Sequence, residues 1–181
     1  MAKPKRIILG VTGSIAAYKA AEIIRRLIEK GLKVSVVMTQ EAEHFITPLT
    51  LASLSGEPVF RGMFNQNESP AAMPHIDLAR EADLLLIAPA TANIIGKMAH
   101  GIADNLLTCI ALATKAPIII APAMNTQMFH NKIVQENCET LKKNGVHFID
   151  PVKGKLACGT TGAGHIADED TIVKIALRTI K

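Results

Sequence analysis

The chain has 181 residues, 49% of them hydrophobic but only 3% aromatic, with no tryptophan. That length suits one domain whose core is filled by Ile, Leu, Val and Ala. The net charge of +4 is scattered among acidic residues; with few rings for base stacking it argues against nucleic acid and suits a phosphorylated small molecule, and the apolar runs at 84–90 and 116–124 are too short to cross a bilayer.

A basic stretch at residues 3–6 followed by apolar 7–17 looks at first like a signal peptide. Gly10, Thr12, Gly13 and Ser14 interrupt the apolar part, so a strand over 7–11, a turn at Gly13-Ser14 and a helix over 16–29 fit better. Ile23, Ile24, Leu27 and Ile28 recur at helical spacing there, and the helix stops before Gly31. A second strand is expected over 33–38, then helical segments over 39–45 and 48–54. Residues 56–73 are rich in Gly, Asn, Pro and Ser and read as a loop or mobile flap. A helical turn at 76–81, a strand at 83–88 and helices at 92–100 and 104–114 follow. A strand at 117–121, a helix at 131–144 and a strand at 146–149 come next. A glycine-rich loop over 151–164 and a helix over 168–180 close the chain. Alternating strands and helices with short connections predict one α/β domain over 1–181. It is a Rossmann-like open sheet, mostly parallel, with helices on both faces.

Such sheets bind ligands at the carboxyl ends of their strands. Gly13-Ser14, Thr39, the segment Pro89-Ala90-Thr91-Ala92-Asn93 and the segment Pro122-Ala123-Met124-Asn125 all fall at that edge. Backbone N–H groups at a helix start, with the Thr12 and Ser14 hydroxyls, make a phosphate cradle, although the same turn serves equally as a plain strand-to-helix connection. No acidic residue ends the second strand to grip a ribose; Thr39 stands there, which leaves room for a mononucleotide rather than NAD. Thr91 and Asn93 read as ligand groups or as helix caps, and Asn125 can hold a carboxylate through its NH₂ group.

His75 follows the polar loop, and its position raises a functional share over a structural one. His44, His100, His130, His147 and His165 lack metal-ligand spacing and read as surface or packing residues. Cys109, Cys138 and Cys158 form no paired spacing, which argues against a disulfide framework or a zinc site and suits the cytosol. Cys109 and Cys138 fall on helices as packing residues, whereas Cys158 lies among glycines in a segment able to approach a ligand.

Gly13-Ser14, His75, 89–93, 101–107 (Gly-Ile-Ala-Asp-Asn-Leu-Leu), 122–128 (Pro-Ala-Met-Asn-Thr-Gln-Met) and 156–159 (Leu-Ala-Cys-Gly) stand in the order found in one known family. Through essentially its whole length the chain resembles the homo-oligomeric flavin-containing cysteine decarboxylases. The resemblance implies FMN as cofactor, held by Gly13, Ser14, Thr39, Thr91, Ala92, Asn93 and Ala123. It implies trimers with the flavin at subunit interfaces, often four trimers to a dodecamer. Some members carry a C-terminal ligase domain, and without one this chain is expected to be a monofunctional enzyme or an excised domain. Three positions depart from the family pattern: Thr91 stands where many members have Ser, Phe129 where Trp is frequent, and His165 where Arg is common.

The implied reaction is decarboxylation of 4'-phosphopantothenoylcysteine to 4'-phosphopantetheine in coenzyme A synthesis. Direct loss of CO₂ from a cysteine carboxylate would leave an unstabilised carbanion. Oxidation of the thiol-bearing carbon to a thioaldehyde places C=S β to the carboxylate, so CO₂ loss yields an ene-thiolate that is then reduced, with no net redox change. By resemblance His75 is the base of the oxidation, Asn125 orients the carboxylate and Cys158 is the acid of the final reduction. Met128 and, from its position in the glycine-rich loop alone, Lys155 are expected to join Asn125 in binding substrate. The alternatives are a peptidyl-cysteine decarboxylase, which stops at the ene-thiol and does not need Cys158, a flavin prenyltransferase, and a non-catalytic regulatory subunit on the same fold.

Overall fold

The computed structural model describes residues 4–63, 73–155, 159 and 161–180. In chain order the regular elements are β1 (Arg6–Val11), α1 (Lys19–Glu29), β2 (Lys33–Met38), α2 (Pro48–Ser55), α3 (Pro74–Glu81), β3 (Leu84–Ala90), α4 (Ala92–Ala99) and α5 (Leu106–Ala113). They continue as β4 (Ile118–Pro122), α6 (Thr126–His130), α7 (Lys132–Lys143), β5 (His147–Phe148), β6 (Val152–Lys155), β7 (Thr161–His165) and α8 (Glu169–Thr179). Five strands form one parallel sheet in the order β2-β1-β3-β4-β5.

The two-residue period of the strands divides the core. Ile7, Leu9, Val11, Val36, Leu84 and Leu86 turn to one face, where they pack with Ile23, Ile24 and Leu27 of α1, Leu51 of α2 and Ile172 of α8. Ile8, Val37, Leu85, Ile87 and Ile120 turn to the other face. There they meet Leu78 of α3, Ile94 and Ile95 of α4, Leu107 and Ile110 of α5 and Leu141 of α7. Both faces of the sheet are therefore covered, which is why its strands read as near-continuous apolar runs. The expected α/β sheet with helices on both faces is the one observed.

Chain order reverses between β1 and β3: β1 is followed by β2 on one side and, later, β3 lies on its other side. A crevice opens at the carboxyl ends of strands where the order reverses in this way. At the opposite end of the sheet Arg6 Nη1 donates to Ser35 Oγ (2.5 Å) and Glu57 Oε2 (2.9 Å), closing that edge with a polar cluster.

Several expectations need correction. Residues 151–164 are not all loop: β6 and β7 pair antiparallel, with Gly154 opposite Gly162. Glycines carry no alternating hydrophobic pattern, so the hairpin left no periodic trace in the sequence. The first helix begins with a 3₁₀ turn at Ile15–Tyr18, and 39–45 holds a 3₁₀ turn at Gln40–His44 rather than an α-helix. The short α6 was not foreseen; Asn125 starts it as N-cap. Of the expected loop over 56–73, residues 64–72 lie outside the described residues, and Phe60 forms a parallel bridge to Val37 at the sheet edge.

Candidate active site

Thr12, 1% exposed at the end of β1, ties the crevice together. Its Oγ1 donates to the Pro89 carbonyl (2.8 Å) and accepts from the Thr91 N–H (3.1 Å), fastening β1 to the end of β3. Ala123 N–H donates to the Ala90 carbonyl (2.9 Å), fastening β3 to the end of β4. Ser14 completes the floor: its Oγ accepts from Ala16 N–H (3.3 Å) as an N-cap and donates to the Ala123 carbonyl (3.4 Å).

Over this floor lies a cleft of about 540 Å³. Gly13, Ser14, Thr39, Thr91, Ala92, Asn93 and Ala123, the seven residues expected to hold cofactor, all line it. Asn125 and Met128 line it too. They arrive from four strand ends, those of β1, β2, β3 and β4, so their meeting is a product of the topology as well as of sequence proximity.

Four features of this cleft suit a flavin. Thr39 is 8% exposed and its Oγ1 is buried with no hydrogen-bond partner among the described residues. A buried hydroxyl without a partner is costly, and a bound phosphate or heteroatom would satisfy it. Gly13 lets the first turn touch the segment after β2: a Cβ there would stand 2.4 Å from Glu41 Cβ and 3.1 Å from the Glu41 carbonyl carbon. Ala92 and Ala123 keep the lining shallow for a flat ring, and backbone N–H groups at the starts of the Ile15–Tyr18 turn and α4 suit an anion.

Asn125 Oδ1 accepts from Gln127 N–H at 2.8 Å; NH₂ is the part of the amide able to donate to an anion. Five further polar residues line the cleft that the sequence reading assigned no role there: Tyr18, Lys19, Glu41, Asn105 and His165. Asn105 lies within the quoted 101–107 segment, and its place as N-cap of α5, Oδ1 accepting from Thr108 N–H at 3.0 Å, was the available signal. Lys19 is bound to Glu169 of α8 at 2.7 Å. Burial works to raise the Glu169 carboxyl, yet its hydrogen bond with Lys19 carries it below the ordinary carboxylate value. His165 is corrected from a surface or packing residue to a cleft residue; its Nδ1 hydrogen-bonds the Ile166 carbonyl at 2.9 Å.

His75 stands apart. It sits half-buried in the first turn of α3, and α3 packs on α5 rather than against the cleft. Among the described residues His75 is not part of the lining of the cleft that holds Asn125. Cys158 lies outside the described residues, and Lys155 ends β6. The other two cysteines are the packing residues expected: Cys138 is buried in the core, and Cys109 Sγ lies 3.2 Å from Met63 Sδ, with burial pushing both thiols up. Among the described residues no helix is long and apolar enough to cross a membrane.

The Flavoprotein family model matches residues 1–181. A probable phosphopantothenoylcysteine decarboxylase of Streptococcus mutans is 48% identical over 172 residues, covering 94% of this chain and 96% of the relative. The coenzyme A biosynthesis bifunctional protein CoaBC of Vibrio cholerae is 49% identical over 169 residues, 93% of this chain but 42% of that protein. The chain thus spans less than half the length of the bifunctional relatives it matches. Among solved structures, a PPC decarboxylase mutant complexed with pantothenoylaminoethenethiol superposes with a TM-score of 0.84 at 34% identity, covering 97% of this chain and 98% of the other. The FMN binding protein AtHal3 superposes with a TM-score of 0.80 at 34% identity, covering 97% and 96%.

Proposed function

The chain belongs to the flavoprotein family, and from that premise we propose that it is the FMN-dependent decarboxylase that converts 4'-phosphopantothenoylcysteine to 4'-phosphopantetheine. The observation that carries the reading is one cleft. It gathers the hydroxyls of Ser14, Thr39 and Thr91, small residues and the Asn93 amide at the sheet's reversal point, with Asn125 beside them.

Gly13, Ser14, Thr39, Thr91, Ala92, Asn93 and Ala123 hold the cofactor. When bound, the flavin supplies two-electron oxidation of the substrate thiol carbon and later returns the hydride. The chain's own residues bind, orient and move protons. Asn125 receives the carboxylate on its NH₂ group and holds it until CO₂ is lost. Met128, half-exposed at the rim, covers the apolar part of the substrate. His75 takes the thiol proton in the oxidation step, as a positioned imidazole can. Cys158 gives a proton to the ene-thiolate carbon as the product is reduced. Lys155 meets the substrate phosphate.

Because His75 lies outside the cleft of its own chain, it serves the cleft of a neighbour. The protein is accordingly a homo-oligomer, a trimer or a dodecamer made of four trimers, and works in the cytoplasm. Leu49 at 76% exposed, Ile133 at 66% and Leu112 at 58% supply apolar surface for contact between copies.

The test is an absorbance spectrum of the purified protein, then anaerobic addition of phosphopantothenoylcysteine. Paired near-ultraviolet and blue bands, with CO₂ and phosphopantetheine formed, are expected. A yellow protein that ignores this substrate but decarboxylates a peptide ending in cysteine would replace the substrate assignment. A colourless protein that takes up no FMN would overturn the reading.

A further inference from the structure

Asn125 is held on one side by its own turn, through Gln127 N–H. On the other side it is held by β7. Gly162 lies directly on Thr126: a Cβ there would stand 2.4 Å from Thr126 Oγ1, 3.0 Å from Cγ2 and 3.2 Å from Cβ. Three atoms of one branched side chain surround that point, so a change of χ1 does not clear it. Gly164 meets backbone instead. Its φ is +136°, a Cβ would stand 2.2 Å from the Met124 carbonyl oxygen and 3.4 Å from the Asn125 carbonyl carbon, and its own carbonyl accepts from Met124 N–H at 3.0 Å. Thr126 Oγ1 is buried with no hydrogen-bond partner among the described residues. Its side chain therefore contributes bulk, the surface on which β7 rests, rather than a bond.

These contacts converge on residues 124–126, with Asn125 at their centre. We infer that Gly162 is a positioning residue for Asn125: by letting β7 lie flat on Thr126, it fixes where the Asn125 amide stands in the cleft. The role of that amide rests on the decarboxylase reading; the seat itself does not. Gly162 differs from Gly164 in a way that makes it testable. Its φ is not in the left-handed region, so its backbone accepts alanine and the obstruction is Thr126.

The experiment compares FMN-loaded wild type, Gly162→Ala, Thr126→Ala and the double variant. It measures KM and kcat for phosphopantothenoylcysteine, the visible flavin spectrum, and the Asn125 side-chain NH₂ resonances in protein labelled with ¹⁵N-asparagine. These are identified by their loss in Asn125→Asp. Gly162→Ala is expected to raise KM by roughly tenfold or more, since a misplacement of about 1 Å can cost on the order of a hundredfold. Its flavin spectrum stays unchanged and the Asn125 NH₂ pair shifts. Thr126→Ala, which removes the resting surface without adding an obstruction, raises KM and shifts the NH₂ pair less than Gly162→Ala does, and the double variant regains most of the loss because Oγ1 and Cγ2 are gone. An unchanged KM and NH₂ pair in Gly162→Ala, or a double variant no better than the single, overturns the inference. If Gly162→Ala does not fold, Thr126→Ile presses on Gly162 from the other side and is read in the same way. If wild type does not turn over the substrate, the decarboxylase reading fails while the NH₂ pair still decides the seat.

Discussion

At the scale of single residues, Thr39 sets the sharpest expectation. Its hydroxyl is buried and unpartnered among the described residues, so it carries a desolvation cost that a bound anion would remove. Thr39→Val should leave the flavin-free protein as stable as wild type or slightly more so. FMN affinity should fall about tenfold to a hundredfold, the range for one hydrogen bond to a charged group. Fluorescence titration with FMN measures both ends of that statement; equal affinities would remove Thr39 from the cofactor site. Thr39 was readable from the sequence because it directly ends a strand. Asn105 was harder: its side chain caps α5, and only the fold shows that a cap residue five positions past His100 also lines the cleft.

At the scale of elements, α1 and α8 are joined across the first core by Lys19 and Glu169. The Glu169 carboxyl is held below its ordinary value of 4.5. A depressed folded-state value means that the contribution to stability is present above the ordinary carboxylate range. It is lost as pH falls through the folded-state value. Wild type should therefore melt about 2–4 °C above the Lys19→Met/Glu169→Gln double variant at neutral pH, a difference of about 1 kcal/mol. The two melting curves should draw together in acid. A gap that persists in acid strong enough to protonate Glu169 in the folded state would assign the difference to packing instead. Strands and long helices were recoverable from sequence because the strands are continuous short apolar runs and the helices repeat their apolar residues at 3.6. β6, β7 and α6 were not. The first two are short and glycine-bearing, and α6 has five residues, too few for a period to show.

At the scale of the whole molecule, the separation of His75 from the cleft predicts shared sites. His75→Asn and Cys158→Ser should each abolish formation of the saturated thiol when expressed alone. Co-expressed in one cell, they should form mixed oligomers in which some clefts receive His75 from one chain and Cys158 from the other. Turnover should then return in part, and co-purified mixed oligomers with no activity would place both residues in the same chain's site. The sequence could suggest each of these residues but not their distribution between copies. Linear order shows which residues follow a loop and does not show which way α3 faces.

The bond network around Thr12 has a consequence for how a ligand arrives. With one hydroxyl bridging Pro89 and Thr91, and Ala123 tied to Ala90, the three strand ends are aligned as part of folding. The ordering entropy of the floor is then charged to the fold, not to the ligand. Capture of the cofactor becomes a docking event onto a finished surface, with little rearrangement to slow it, and the empty and loaded forms should differ in melting temperature by mass action alone.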